Sequence, residues 1–236
     1  MSNGLFENAH FRLVGDRGLL MEYGDVIDPV VNQKVRSISI VAKQDMPPGV
    51  IEIIPAYRSI MIIYNPSVTK PQKLQDAFIS LEKRLTDIDI TPPKTIEIPV
   101  CYGGKLGPDI QVVAESNNIS VTDVIRLHSQ PEYIIYMIGF APGFPFLGGL
   151  PETLHTPRLK TPRTNVPQGS VGIANKQTGI YPAESPGGWQ LIGRTPLKLF
   201  DPARSNPILY QAGDRIRFIS ISEDEYYHLL KKETTQ

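Results

Sequence analysis

The chain of 236 residues has a single cysteine, Cys101, so no disulfide can form within it. With no C-x-x-C partner, that thiol reads as a packing residue, and a reducing cytoplasm is the compartment it fits. Excess charge of one sign is missing as well, because 24 Lys and Arg balance 24 Asp and Glu. This balance removes the electrostatic case for nucleic acid or an anionic membrane surface. No run approaches the ~20 apolar residues of a membrane span. The start, MSNGLFENAHFRLVGD, lacks the charged and apolar blocks of a secretory signal.

The common catalytic signatures are also lacking. There is no GxxxxGK[ST], no GxGxxG after a strand, no HExxH and no GxSxG. No lysine is flanked by methionines, so a biotin attachment site is absent. His10, His128, His155 and His228 are too scattered to suggest a zinc site. Ser170 and Ser185 lie beside glycine or proline, without an obvious base nearby in sequence.

What remains is ordinary globular composition, 41% hydrophobic and 20% charged, in two halves of different pattern. In the first, Phe11–Val14 and Leu19–Tyr23 alternate like strands. Asp28-Pro29 looks like an N-cap followed by proline at the first helical position. Val31, Val35, Ile38 and Ala42 then mark one helix face. Val50–Ile54 and Ser59–Tyr64 are strand runs, and Leu74, Ala77, Phe78, Leu81 and Leu85 mark a second helix. Thr95–Val100 reads as the last strand of this half, giving ββαββαβ. Thr91-Pro92-Pro93 is the linker candidate, since it cannot continue a helix.

The second half opens with two short helices, Pro108–Ser116 and Val121–Ser129, the latter started by Ser120-Val-Thr-Asp123. Glu132–Phe140 is β-like. Proline and glycine then dominate, with 11 of 22 prolines and 9 of 19 glycines in Pro142–Pro207. Short strands are expected at Ser170–Ala174, Gly179–Tyr181, Trp189–Ile192, Leu197–Phe200 and Arg215–Ser220. That grammar predicts a small barrel or sandwich. Ser222-Glu-Asp-Glu225 caps a terminal helix that ends near Lys232. The fold class is α+β: a small N-terminal α/β layer over 1–93, then a β-barrel domain over 94–236.

The strongest physical signal lies inside the barrel half. Seven basic residues (Arg158, Lys160, Arg163, Lys176, Arg194, Lys198 and Arg204) face only Glu184 and Asp201, so this stretch is +5 in a neutral protein. Arginine forks bind carboxylate or phosphate bidentately, and Arg158, Lys160 and Arg163 are expected to line an anion groove; a solvated basic loop is the alternative. Phe140, Phe144 and Phe146, with Trp189, are expected to wall a pocket, meet a partner or plug the barrel end. Gln177 and Tyr181 suit the orientation of an amide or carboxylate, or the satisfaction of buried backbone groups. His128 and Tyr181 are the candidates for catalysis. A histidine at a helix C-terminus also reads as a cap.

The strings GFAPGFPFLGGL (139–150), PRLKTPRTNVPQGSVGIANKQTGIYP (157–182) and SPGGWQLIGRTPLKLFDP (185–202) resemble the KipI family. That family is also called allophanate hydrolase subunit 1 and the B subunit of 5-oxoprolinase (PxpB). GDRGLLMEYG (15–24), IPAYRSIMIIYNP (54–66) and IPVCYGGKLGPDI (98–110) are similar to it too. The ββαββαβ order suits a ferredoxin-like or related layer, and the resemblance implies a small N-terminal α/β domain followed by a cyclophilin-like barrel. It implies partners, the C and A subunits of 5-oxoprolinase, and hydrolysis of 5-oxo-L-proline to L-glutamate with ATP, bound with Mg2+. Arg158, Arg163 and Arg194 would then bind anions while Gln177 and Tyr181 orient the lactam. Related roles are inhibition of a sporulation histidine kinase and a carboxyltransferase part like that of urea amidolyase. One departure stands out: family members commonly read IAG-x-QTG where this chain has Ile173-Ala174-Asn175-Lys176-Gln177. Asparagine tolerates the left-handed backbone that glycine would allow. His155 lies outside the family strings.

Overall fold

A computed structural model describes residues 4–85 and 92–235. The chain divides into two compact units between Pro92 and Pro93; Thr91 of the linker candidate lies outside the described residues.

The first unit runs β1 (Leu5–Val14), β2 (Gly18–Gly24), α1 (Pro29–Gln44), β3 (Val50–Pro55), β4 (Ser59–Tyr64) and α2 (Pro71–Glu82). Asp28 caps α1 by accepting the Val30 amide at 2.7 Å, with Pro29 opening the helix. The sheet order is β1-β2-β4-β3, antiparallel throughout. Alternate residues of a strand share a face. Leu19, Met21 and Tyr23 of β2 therefore join Ile60, Ile62 and Tyr64 of β4 beneath Val31, Val35 and Ile38 of α1 and Leu74 and Phe78 of α2. β2 and β3 run parallel with β4 between them, a split β-α-β arrangement.

The expected seventh element of that half belongs elsewhere. β5 (Thr95–Tyr102) lies in the second unit, parallel to β13 (Arg215–Ser220) from Thr95 opposite Arg215 to Val100 opposite Ser220. Ile98 and Val100 bury in the core of that unit. Only a pairing across ~120 residues assigns the strand, which no local pattern reveals.

The second unit continues with α3 (Ile110–Ser116), α4 (Val121–Ser129), β6 (Glu132–Ile138), β7 (Pro145–Gly148), β8 (Arg163–Val166), β9 (Ser170–Ala174), β10 (Gln177–Ile180), β11 (Ser185–Gly187), β12 (Gln190–Arg194) and, after β13, α5 (Glu223–Thr235). Seven strands close a barrel in the order β10-β7-β6-β13-β5-β12-β9, and β8 and β11 form a separate two-stranded ribbon. Closure leaves the barrel no open edge. Ser120 caps α4 through the Asp123 amide at 3.0 Å. Ser222 and Glu225 exchange bonds at the start of α5 in a capping box. The expected strand at Leu197–Phe200 is not formed; Phe200 makes a single bridge to Ile208, and Pro196 and Pro202 bracket the run. The β9–β10 turn places Asn175 at φ +53, the left-handed backbone its sequence anticipates. Among the described residues, no helix is long and apolar enough to cross a membrane.

Candidate functional site

The Gly/Pro-rich run after β6 builds an aromatic cluster. Phe144 sits at its centre, with ring centroids 4.8 Å from Phe146, 5.3 Å from Tyr181 and 5.6 Å from Trp189. Gly179 makes room for it, because a Cβ there would lie 3.0 Å from the Phe144 ring and 3.1 Å from Trp189. The phenylalanines are therefore not one exposed patch. Phe144 and Trp189 are buried and Phe146 is half-buried, whereas Phe140 is 69% exposed.

The basic segment does not converge on one groove either. Arg158 is exposed and stands over the Trp189 ring, 6.0 Å from its centroid. Arg163 is occupied within the chain: its Nη2 meets Asp109 Oδ1 at 2.6 Å and its Nη1 donates to the Trp189 carbonyl at 3.3 Å. Asp109 also accepts the Leu191 amide at 2.6 Å through its other oxygen. The fork assigned to a ligand anion thus joins β8 to the start of α3 and to β12. Tyr181 is buried, which pushes its phenol up, against the Trp189 backbone hydrogen bond and the charges of Arg158 and Arg163. It stays a neutral donor at physiological pH. Gln177 begins β10, opposite Ala174 in the β9–β10 hairpin.

His128 is neither a charged cap nor a poised base. It is fully buried, and desolvation pushes its pKa down to about 3. Nδ1 lies 2.8 Å from the Tyr102 hydroxyl and Nε2 2.8 Å from Thr178 Oγ1. Thr178 gives its own proton to the Gly172 carbonyl at 3.0 Å, so its oxygen must accept from Nε2–H. Nδ1 must then accept from Tyr102, whose phenol burial raises well above its ordinary value. This tautomer follows from counting donors. The Tyr133 hydroxyl closes the set on the His128 carbonyl at 2.8 Å. The network joins α4 to barrel strands from within.

Arg194, at the end of β12, lines a separate cleft of about 890 Å³, whose walls include Lys198, Asp201, Arg204, Tyr226 and Glu233 but neither Arg158 nor Arg163. Lys198 pairs with Asp201 at 2.9 Å, and Arg204 reaches Glu233 at 3.5 Å. The Lys198 hydrogen bond and the Ala203 amide hold the Asp201 carboxyl below the usual carboxylate range. Burial raises the Tyr226 phenol, and the neighbouring Arg194 charge opposes that rise. Among the described residues, Arg194 has no carboxylate partner, and its Nε is buried without a hydrogen bond. A cation held at a cleft wall without a counter-charge is receptive to an anion.

Other groups are structural. Ser170 donates to the Pro167 carbonyl at 2.7 Å, and His155 contacts the Leu150 carbonyl at 3.3 Å. Among the described residues, no three His, Cys, Asp or Glu side chains are placed to hold a metal. Sequence reasoning passed over Asp109, Tyr102 and Thr178, whose bonds to His128, Arg163 and Leu191 span 26 to 82 residues.

Residues 9–210 match the family described as carboxyltransferase domain, subdomain C and D. The B subunit of 5-oxoprolinase from Bacillus subtilis is 44% identical over 231 residues, 94% of this chain and 96% of that protein. The protein of the same name from Escherichia coli O157:H7 is 44% identical over 222 residues, 92% of this chain and 98% of its own length. The crystal structure of a conserved uncharacterized protein of Pyrococcus horikoshii covers 92% of this chain and all of that one, with 42% identity and a TM-score of 0.55.

Proposed function

This chain belongs to the carboxyltransferase domain, subdomain C and D family, with the 5-oxoprolinase B subunits among its relatives, and on that premise we propose that it is the B subunit of an ATP-dependent 5-oxoprolinase. The observation that carries the reading is end-to-end likeness: 44% identity spanning 94% of this chain and 96% of the Bacillus subtilis protein. In this reading the chain is cytoplasmic and works with the A and C subunits to open 5-oxo-L-proline to L-glutamate. Its first unit is a ferredoxin-like layer with the last strand moved to the front, which accounts for the order β1-β2-β4-β3. Its second unit is a cyclophilin-like barrel.

A lactam is a poor electrophile, and its oxygen a poor leaving group. ATP supplies, when bound with Mg2+, the phosphoryl group that activates such an oxygen. Phosphoryl transfer asks a protein mainly for positioning and charge stabilisation. The residues here fit that demand in the Arg194 cleft, where one guanidinium lacks a carboxylate among the described residues and Lys198 and Arg204 stand beside it. Arg194 would hold the phosphates, with Lys198 and Arg204 released toward them from Asp201 and Glu233. Arg158, over Trp189, is the cation left for the substrate carboxylate. Arg163 keeps its place as the clamp on Asp109.

The test is reconstitution. This chain, with the A and C subunits from its own genome, 5-oxo-L-proline and ATP, is expected to yield glutamate and ADP, and omitting the chain should abolish both. An assembled complex with no turnover, or turnover that survives the omission, would remove the reading.

A further inference from the structure

The Arg194 cleft has two walls of different origin. One comes from the body of the barrel: the end of β12, the loop from Thr195 to Arg204 and the turn at Pro167-Gln168. The other is a single face of α5, on which Tyr226, Leu230 and Glu233 follow at steps of four and three. The two ends of that face are held differently. Near its start, Tyr226 is buried with Cys101 and Leu106, Leu230 packs half-buried against the same cluster, and Ser222 and Glu225 fix the first turn. Leu230 is the last apolar residue of α5. Beyond it, Glu233 reaches across the cleft to Arg204 Nη2 at 3.5 Å.

That ion pair is loose. Charge-assisted bonds of this type run at about 2.7–2.9 Å, and both partners are partly exposed, so solvent screens them. Arg204 is also positioned without it. Its Nη1 donates to the Lys198 carbonyl at 2.9 Å, its amide to the Asp201 carbonyl at 3.2 Å, and its Nε stands 3.8 Å from the Asp201 carboxylate. Glu233 thus does little to place the guanidinium; it occupies Nη2. An anion entering the cleft is attracted by Arg194 and Arg204 on the barrel side. On the α5 side it meets the Glu233 carboxylate and the carboxyl end of a 13-residue helix, whose dipole is negative there. Lys231 and Lys232 are exposed and do not line the cleft. Anion and Glu233 compete for one guanidinium.

We infer that Glu233 is a built-in counter-ion that straps the last turn of α5 across the cleft, and that a ligand anion displaces it from Arg204 and swings that turn outward. The hinge lies after Leu230, where apolar packing of the helix ends. This rests on the anion reading of the Arg194 cleft and adds the regulation of that site. Apparent affinity is the intrinsic affinity multiplied by the open fraction, so releasing the strap must tighten binding.

The probes are pyrophosphate, and ATP with Mg2+, titrated calorimetrically into the full chain, alone and with the A and C subunits. Glu233→Gln should lower Kd about three- to tenfold. Glu233→Asp keeps the charge but is a methylene too short for Arg204, and should lower Kd nearly as far. In hydrogen exchange, amides 231–235 of the wild type should exchange faster with pyrophosphate bound, the reverse of the protection given to a segment that a ligand covers. Affinities equal to or weaker than wild type in both variants would overturn the inference, and so would slower exchange at those amides on binding. Tightening by Glu233→Gln with Glu233→Asp at the wild-type value would overturn it as well, because charge at a distance, and not the pair, would be the cause. If wild type and both variants bind neither probe, the cleft reading falls together with the inference. If all three bind alike while Arg194→Gln does not, only the inference falls.

Discussion

Asp109 serves Arg163 and Leu191 with different oxygens of one carboxylate, each at 2.6 Å, while its own amide donates to the Leu191 carbonyl at 2.8 Å. One buried side chain thereby holds the start of α3, the strand β12 and the ribbon strand β8 in register. Asp109→Ala should cost about 2–4 kcal/mol in urea unfolding, because it strands a half-buried guanidinium and a buried amide together. Arg163→Ala should cost less, about 1–2 kcal/mol, since the Leu191 amide keeps its acceptor. A double-mutant cycle should give a coupling of about 1 kcal/mol or more. If Arg163→Ala left stability unchanged but removed ligand binding, the clamp would be the wrong role and the ligand-anion role the right one.

That pair also shows where sequence reading stops. Caps are local, so Asp28, Ser120 and Ser222 were legible from spacing alone, and the helices they start lie where expected. Strand alternation was equally legible in β2 and β4. Partners set by closure of the barrel were not. Arg163 meets Asp109 across 54 residues, and β5 joins β13 across a parallel seam. The +5 segment read as one surface because charge is counted along the chain. The structure sends Arg158 to Trp189, Arg163 to Asp109 and Arg194 to another cleft. Likewise, the helix-end position of His128 suggested a charged cap, but the barrel covers it.

Burial of His128 makes stability depend on pH with a definite sign. In the unfolded chain the imidazole takes a proton near pH 6.5, whereas in the fold it resists until about pH 3. Between those values the unfolded state binds the extra proton, so stability is full above about pH 6.5 and falls as pH drops toward 3. The expected slope from this group approaches 1.4 kcal/mol per pH unit, roughly, in the middle of that window. His128→Gln keeps a donor for Thr178 and cannot titrate. It should be less stable at pH 7 and show a flatter acid limb, measured as urea midpoint against pH. An acid limb identical to wild type would show that carboxylates, not His128, control it.

Cys101 is 7% exposed, beside a hollow shared with Tyr102, Lys105, Ser222 and Glu223. Burial raises its thiol above the ordinary value, and the Glu223 carboxylate adds to the rise. Thiolate is the reactive form, so a neutral disulfide reagent at pH 8 should modify the folded chain much more slowly than the urea-unfolded chain. Glu223→Gln should speed the folded reaction modestly by removing the negative neighbour. Equal rates in folded and unfolded chains would mean that the thiol is open to solvent.

Arg194 allows the cleft to be tested apart from turnover. Among the described residues its guanidinium lacks a carboxylate, whereas Lys198 and Arg204 are compensated by Asp201 and Glu233. A bound anion must therefore gain most from Arg194. In calorimetric titration of the assembled complex with ATP and Mg2+, Arg194→Gln should raise Kd at least tenfold, about 1.4 kcal/mol. Lys198→Ala should change it less, because the Lys198 charge is already largely compensated by Asp201 at 2.9 Å. Ligand at 100 times its Kd should stabilise the wild type by about 2.7 kcal/mol, and Arg194→Gln should lose most of that shift at the same concentration. The effect should shrink with added salt, since the cleft is open to solvent and its charges are partly screened. If Arg194→Gln binds ATP as wild type does, while Arg158→Ala does not, the anion site lies beside Trp189 and the cleft is only packing.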